Sequence, residues 1–204
     1  MSLTEFYKNT VRLNDTRTGG WAAFYYGIFA KIIRENNYKT VAEVGIGYGT
    51  HAKSLLKETD VERLYLVDPM VYYPNDRFSS DIESKTCDVQ GVTTPFEGMV
   101  SLITSELEPW KNRYTWFRTK SLEVTSEQIP DESLDAVFID GDHTYDAVLA
   151  DLAFWWKKVK VGGHVVGDDY WIDDVKRAVD AFGKPHDLLT LPGNTYRVYC
   201  LQKV

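Results

Sequence analysis

The chain has 204 residues, 44% of them hydrophobic and 26% charged, which suffices for one sizeable core in a single domain. A formal net charge of −7 repels phosphate backbones and excludes general nucleic-acid binding. No apolar run approaches the roughly 20 residues that span a bilayer, the stretch Met1–Lys8 has no apolar secretory segment, and Cys87 and Cys200 make no disulfide framework, so a reduced, cytoplasmic setting is expected.

In chain order, Trp21, Phe24, Tyr25, Ile28, Phe29 and Ile32 recur at three- and four-residue spacing and predict a helix over 20–36. Residues 1–39 are expected to form an N-terminal helical cap, with 40–204 as the main domain. Thr40–Gly45 reads as a buried strand and Thr50–Lys57 as a helix with Ala52, Leu55 and Leu56 on one face. Arg63–Asp68 is the second strand, stopped by Pro69. Residues 70–93 are polar and irregular. Phe96–Leu107 is a helix, with Pro95 suited to its first turn. Tyr114–Arg118 and the mostly apolar Leu134–Asp140 are the third and fourth strands.

Val148, Leu149, Leu152, Trp155 and Trp156 predict a helix over 144–157, and His164–Val166 a fifth strand. Asp173 or Asp174 is placed to cap a helix carrying Val175, Ala178, Val179 and Phe182. Two last strands, around Leu188–Leu191 and Tyr196–Leu201, flank the turn signal Pro192-Gly193-Asn194. Alternating strands and helices of this kind predict an α/β, Rossmann-like fold: a seven-stranded, mostly parallel sheet, helices on both faces, and a C-terminal antiparallel hairpin.

Two stretches carry the chemistry. Glu43-Val44-Gly45-Ile46-Gly47-Tyr48-Gly49 places three glycines between a strand and a helix, where backbone can approach a ligand closely. The spacing departs from the dinucleotide fingerprint and disfavours a pyrophosphate. Glu43, at the strand end, can accept from an ammonium or from backbone N–H groups. Asp68, at the end of the next strand, stands where an acid accepts from ribose hydroxyls. The second stretch is Ile139-Asp140-Gly141-Asp142-His143-Thr144-Tyr145 with Gly167-Asp168-Asp169-Tyr170. It sets Asp140, Asp142, Asp168 and Asp169 at the ends of two neighbouring strands. Crowded carboxylates repel; a divalent cation would relieve them, and oxygen ligands suit Mg²⁺, Ca²⁺ or Mn²⁺. A bound cation would lower the pKa of a substrate hydroxyl. His143, three residues past Asp140, is an imidazole suited to proton transfer near neutral pH.

The glycine stretch resembles the first motif of class I S-adenosylmethionine-dependent methyltransferases, and Asp68 their ribose-binding acid. The second stretch resembles the small-molecule O-methyltransferases related to the macrocin and mycinamicin enzymes and, more distantly, to catechol and caffeoyl-CoA methyltransferases. The likeness covers roughly residues 40–170. It implies S-adenosylmethionine as cofactor, held by Glu43, Gly45, Gly47, Gly49, Asp68 and Asp140, with Lys120 and Ser121 bordering the adenine. It implies a metal, Mg²⁺ first, on Asp140, Asp168 and Asp169, although the catechol-type enzymes usually carry Asn where this chain has Asp169. It implies His143 as base, working beside Asp140.

The function expected is metal-assisted O-methylation of a small hydroxylated acceptor. A metal-independent nitrogen or carboxylate methyltransferase and a non-catalytic scaffold of the same fold are the alternatives. Trp171 is placed to wall the acceptor pocket. Asp142 is suited to cap the helix at Thr144, and His51 to touch the cofactor or sit on the surface of a first helical turn. His164 reads as a core histidine. No membrane partner is expected, and the aromatic helix surface of Trp155 and Trp156 allows a homodimer.

Overall fold

A computed structural model describes residues 1–13, 26–74, 76–191 and 196–204. Helix α1 is Leu3–Leu13 and α2 Tyr26–Asn36. Then follow β1 Thr40–Val44, α3 Thr50–Glu58, β2 Arg63–Val67, α4 Arg77–Glu83, α5 Pro95–Leu107, β3 Tyr114–Phe117, β4 Leu134–Ile139, α6 Tyr145–Lys158, β5 Val159–Gly167, α7 Asp173–Phe182, β6 Asp187–Leu189 and β7 Val198–Gln202. The seven strands lie in the order β3-β2-β1-β4-β5-β7-β6. Strands β1 to β5 pair in parallel, and β7 runs antiparallel to both β5 and β6. The Rossmann-like sheet and the terminal hairpin expected from the sequence are both present.

Alternation along the strands divides the interior into two clusters. On one face, Val41, Leu64, Leu66, Ala136 and Phe138 pack against Phe29 and Ile33 of α2, Leu55 and Leu56 of α3, Met99 and Ile103 of α5, and Leu3 and Tyr7 of α1. On the other, Ala42, Val44, Val137, Ile139 and Val165 meet Leu152 and Trp155 of α6 and Val175 and Val179 of α7. Each such aliphatic side chain, once buried, stabilises the fold by roughly 1.5–3 kcal/mol. Trp155 is wholly buried inside the chain, and Trp156 packs edge-on against Phe182.

Three differences from what the sequence predicts have physical causes. Helix α4 stands within the stretch read as irregular. Seven residues, with apolar side chains only at Phe78 and Ile82, leave too short a period to detect, yet the Asp76 side chain caps the helix by accepting from the Ser79 N–H at 2.6 Å. Strand β5 begins five residues before His164, because its pairing with β4 shifts register between Leu134 and Ala136 and takes in the exposed run Lys160–Gly162. Neither Asp173 nor Asp174 caps α7. Ile172 occupies the cap without a side-chain bond, and both acids lie in the first turn, where carboxylates complement the helix dipole. Helix α1 lies within the stretch expected to be helical and turns Leu3, Phe6 and Tyr7 toward the core. Trp21, Phe24, Tyr25 and the Pro192-Gly193-Asn194 turn lie outside the described residues. Among the described residues no helix is long and apolar enough to cross a membrane.

Candidate active site

The strand order reverses between β1 and β4, and in such sheets ligands bind beyond the carboxyl ends of the strands at that point. Both motifs come to this crevice. The glycine loop leaves β1 with Gly45 at φ 78°, and a Cβ there would stand 1.9 Å from the carbonyl oxygen of Asp140. Only glycine allows the loop to approach the end of β4 so closely. Gly49 (φ 71°) closes the loop against Ile103, whose Cγ2 would lie 2.7 Å from an added Cβ.

Asp68 faces this loop from the end of β2. Its Oδ2 accepts from the Ile46 N–H at 3.0 Å and its Oδ1 from the Met70 N–H at 2.7 Å. Burial pushes its carboxyl above the ordinary range, against the pull of those donors. The Gly47 N–H donates to the same carboxylate, and the remaining acceptor capacity is left for a ligand hydroxyl.

Glu43 is buried, 2% exposed, with Oε1 3.5 Å from His51 Nδ1 and no hydrogen-bond partner for Oε2 among the described residues. Burial raises its pKa, opposed by His51 and reinforced by the charges of Asp140 and Asp68. His51 is therefore not on the surface. Its ring stands edge-on to Phe138 and tilted against Phe29.

Lys120 is exposed, at the start of a single 3₁₀ turn, Ser121–Glu123. Ser121 turns its hydroxyl inward. It donates to Asp151 Oδ1 at 2.5 Å and accepts from the Trp155 indole N–H at 2.7 Å. The polar capacity of that side chain is thus largely spent inside the protein. Burial, with the Asp142 charge nearby, lifts the Asp151 carboxyl to about 6 although Ser121 opposes it.

The second motif brings Asp140, His143 and Asp169 together. His143 Nε2 lies 2.9 Å from Asp169 Oδ2 and 3.4 Å from Asp140 Oδ1. Hydrogen bonds to Asp140 and then Asp169 raise the imidazole to about 10, outweighing its partial burial. Asp169 adopts φ 56°, a left-handed conformation that Asp tolerates better than most residues. Its Oδ1 accepts from the Trp171 indole at 2.7 Å and from the Tyr196 hydroxyl at 2.8 Å. Burial works against the Asp169 carboxylate, but the donors from His143, Tyr196 and Trp171 prevail and hold it below the ordinary range.

Asp168 is buried, 5% exposed, and its Oδ1 takes the Asp169 N–H at 2.7 Å. Desolvation, with the charges of Asp140 and Asp169, lifts it to about 8. One donor atom each from Asp140, His143 and Asp169 lies within 4.8 Å of the others, a spacing that fits a divalent cation. Asp168 falls outside that set of three. Asp142 does not cap α6, whose cap position is Thr144 without a side-chain bond; from two residues ahead, its Oδ1 accepts from the Thr144 N–H at 2.8 Å and fixes the entry to the helix.

Tyr196 was not legible as a site residue, since it reads first as the start of a strand. Trp171 is 70% exposed at the rim, its indole fixed by Asp169. His164 is half-buried, with Nδ1 2.7 Å from the Tyr38 hydroxyl. It lies away from the acids.

A family model described as a methyltransferase domain matches residues 42–170, from the middle of β1 to the residue after Asp169. The chain belongs to this methyltransferase-domain family. Several solved structures share the fold of this methyltransferase. The O-methyltransferase TomG of Streptomyces achromogenes, involved in tomaymycin synthesis and solved with S-adenosylmethionine, superposes with a TM-score of 0.59 at 13% identity, over 88% of this chain and 79% of that one. An O-methyltransferase of Bacillus cereus, solved with S-adenosylhomocysteine, gives 0.58 at 14% identity, over 87% and 80%. Spermidine synthase of Thermotoga maritima gives 0.55 at 16% identity, over 88% and 60%. These proteins share one fold, and it hosts more than one activity. An uncharacterized protein of Acanthamoeba polyphaga mimivirus is 43% identical over 51 residues, 23% of this chain and 23% of that protein's length.

Proposed function

We propose that this methyltransferase transfers the methyl group of S-adenosylmethionine to a hydroxyl oxygen of a small acceptor. The observation that carries the reading is the placement of the Asp140–His143–Asp169 cluster beside the glycine loop at the switch point of the sheet. In this reading Asp68 holds the ribose hydroxyls and Glu43 the cationic amino group, while Gly45, Gly47 and Gly49 let the backbone close on the cofactor. Lys120 and Ser121 bound the adenine side. Trp171 walls the acceptor pocket with its exposed ring.

Methyl transfer asks little covalent chemistry of the protein; positioning and charge supply most of the rate. His143 is the group to take the hydroxyl proton. In the ligand-free chain it holds a proton of its own between two carboxylates, so it serves as base once another positive charge takes its place there. A divalent cation on Asp140 and Asp169, with Asp168 completing the set and His143 left free as base, would supply that charge and polarise the acceptor hydroxyl.

A second reading is favoured by the same cluster. The imidazolium offsets one of the two carboxylate charges without a cation, and in O-methylation without metal the Asp140 carboxylate, not His143, would take the acceptor's proton.

The test is methyl transfer from isotopically labelled S-adenosylmethionine to a panel of catechols, sugars and polyketide alcohols, with amines and carboxylic acids alongside, with Mn²⁺ and with chelator. Labelled methyl ether that disappears with chelator supports the first reading. Labelled ether that survives chelation supports the second. Label found only on nitrogen or carboxylate acceptors contradicts both.

A further inference from the structure

We propose that helices α1 and α4 hold the glycine loop in its binding shape by gripping Tyr48, which makes Phe6, Phe78 and Tyr48 positioning residues for the cofactor; this rests on the reading of 45–49 as the cofactor loop. The loop has little of its own to hold it. Gly45, Gly47 and Gly49 all sit at positive φ, at 78°, 49° and 71°, and contribute no side chains. Its backbone is tied by the Gly45 N–H on the Val67 carbonyl at 3.0 Å and the Gly49 N–H on the Ile46 carbonyl at 2.7 Å, and of its side chains only those of Ile46 and Tyr48 can anchor it. Ile46 is buried in the core, with its N–H on Asp68. Tyr48 points the other way, into a cluster built from outside the sheet.

Its ring stands edge-on to Phe78 of α4 at 4.8 Å and edge-on to Phe6 of α1 at 5.8 Å. Phe78 also reaches the loop backbone, since its Cε2 would lie 4.0 Å from a Cβ on Gly47. The Lys85 ammonium covers Phe6 at 4.6 Å from the ring centre.

Both helices are themselves fastened down. The Leu3 N–H donates to the Thr86 carbonyl and the Thr4 N–H to Asp88 Oδ1, each at 2.9 Å. Leu3 is fully buried over Gly98 of α5, where an added Cβ would come within 2.6 Å of its Cδ2. In α4, Ile82 is fully buried and Asp76 caps the first turn. A loop with three such glycines pays its ordering entropy either before binding or in affinity. Edge-on aromatic pairs against fixed helices order it beforehand. Part of the cofactor affinity is therefore set by a helix that precedes the sheet.

The experiment is calorimetric titration of S-adenosylhomocysteine into the wild-type chain and into Tyr48→Leu, Tyr48→Phe, Phe6→Leu and Phe182→Leu, with thermal melts of each. Phe182 packs on Trp156 across the sheet and serves as the control for lost stability alone. The expected result is a dissociation constant raised about ten-fold in Tyr48→Leu and Phe6→Leu. Tyr48→Phe keeps wild-type affinity because its ring remains, and Phe182→Leu melts earlier with affinity unchanged. Faster amide exchange at residues 45–49 accompanies the two weak variants. Wild-type affinity in both Tyr48→Leu and Phe6→Leu overturns the grip and leaves the cofactor reading standing. No binding by the wild-type chain overturns the cofactor reading, and the proposal with it.

Discussion

His143 Nε2 and Asp169 Oδ2 lie 2.9 Å apart, across the gap between the ends of β4 and β5. The contact is built by the chain. Trp171 and Tyr196 both occupy Asp169 Oδ1, and the left-handed turn at Asp169 aims the remaining oxygen at the imidazole. On the proposed function, His143→Ala lowers kcat by about 10²–10⁴-fold, the range for loss of a positioned acid or base. Affinity for S-adenosylhomocysteine stays within about twofold, since His143 takes no part in the cofactor side. Steady-state kinetics beside calorimetry checks this; loss of cofactor affinity together with activity contradicts the assigned role.

The two glycines Gly49 and Gly91 separate crowding from backbone strain. Both have positive φ, at 71° and 83°, but a Cβ at Gly91 meets nothing within 4 Å, whereas at Gly49 it meets Ile103 at 2.7 Å. Gly91→Ala is expected to cost about 1 kcal/mol for the left-handed conformation alone. Gly49→Ala is expected to cost about 1–3 kcal/mol more, the range for overpacking. Urea unfolding of both variants measures the difference, and equal costs contradict the close packing of the loop on α5.

Much of the fold was legible because its signals are local. The apolar run of β4 and the helical spacing of α6 needed no tertiary context. Glu43, the glycines and Asp68 were legible because a strand, a tight loop and an acid follow one another in a fixed order. The interactions that finish the site are not local. Tyr196 reaches Asp169 across 27 positions, and Trp155 and Asp151 reach Ser121 across 34 and 30. No spacing rule announces such contacts. The helical spacing that marks α6 is absent from α4, whose seven residues rely on a cap and on packing against α5 rather than on a repeating stripe.

Asp151 gives a dependence of stability on pH. Its carboxyl sits at about 6 in the folded chain, mainly through burial, against about 3.9 when unfolded. The folded state therefore binds the proton more tightly, and stability falls as pH rises from about 4 through about 6. Above that range the penalty is constant, on the order of 2–3 kcal/mol. Asp151→Asn keeps an acceptor for Ser121 and carries no charge. It is expected to unfold at higher urea than the wild type at pH 8 and to lose that advantage at pH 4. Parallel pH profiles for the two chains contradict the buried-acid account.

The central claim is that the crevice between β1 and β4 holds the adenosyl cofactor, with Asp68 on its ribose. The most direct measurement is calorimetric titration of S-adenosylhomocysteine into the wild-type chain and into Asp68→Ala. The account predicts micromolar binding by the wild type and at least about ten-fold weaker binding by the variant, as for a lost hydrogen bond to a charged group. Absence of binding by a folded wild-type chain, or equal affinity in Asp68→Ala, contradicts it.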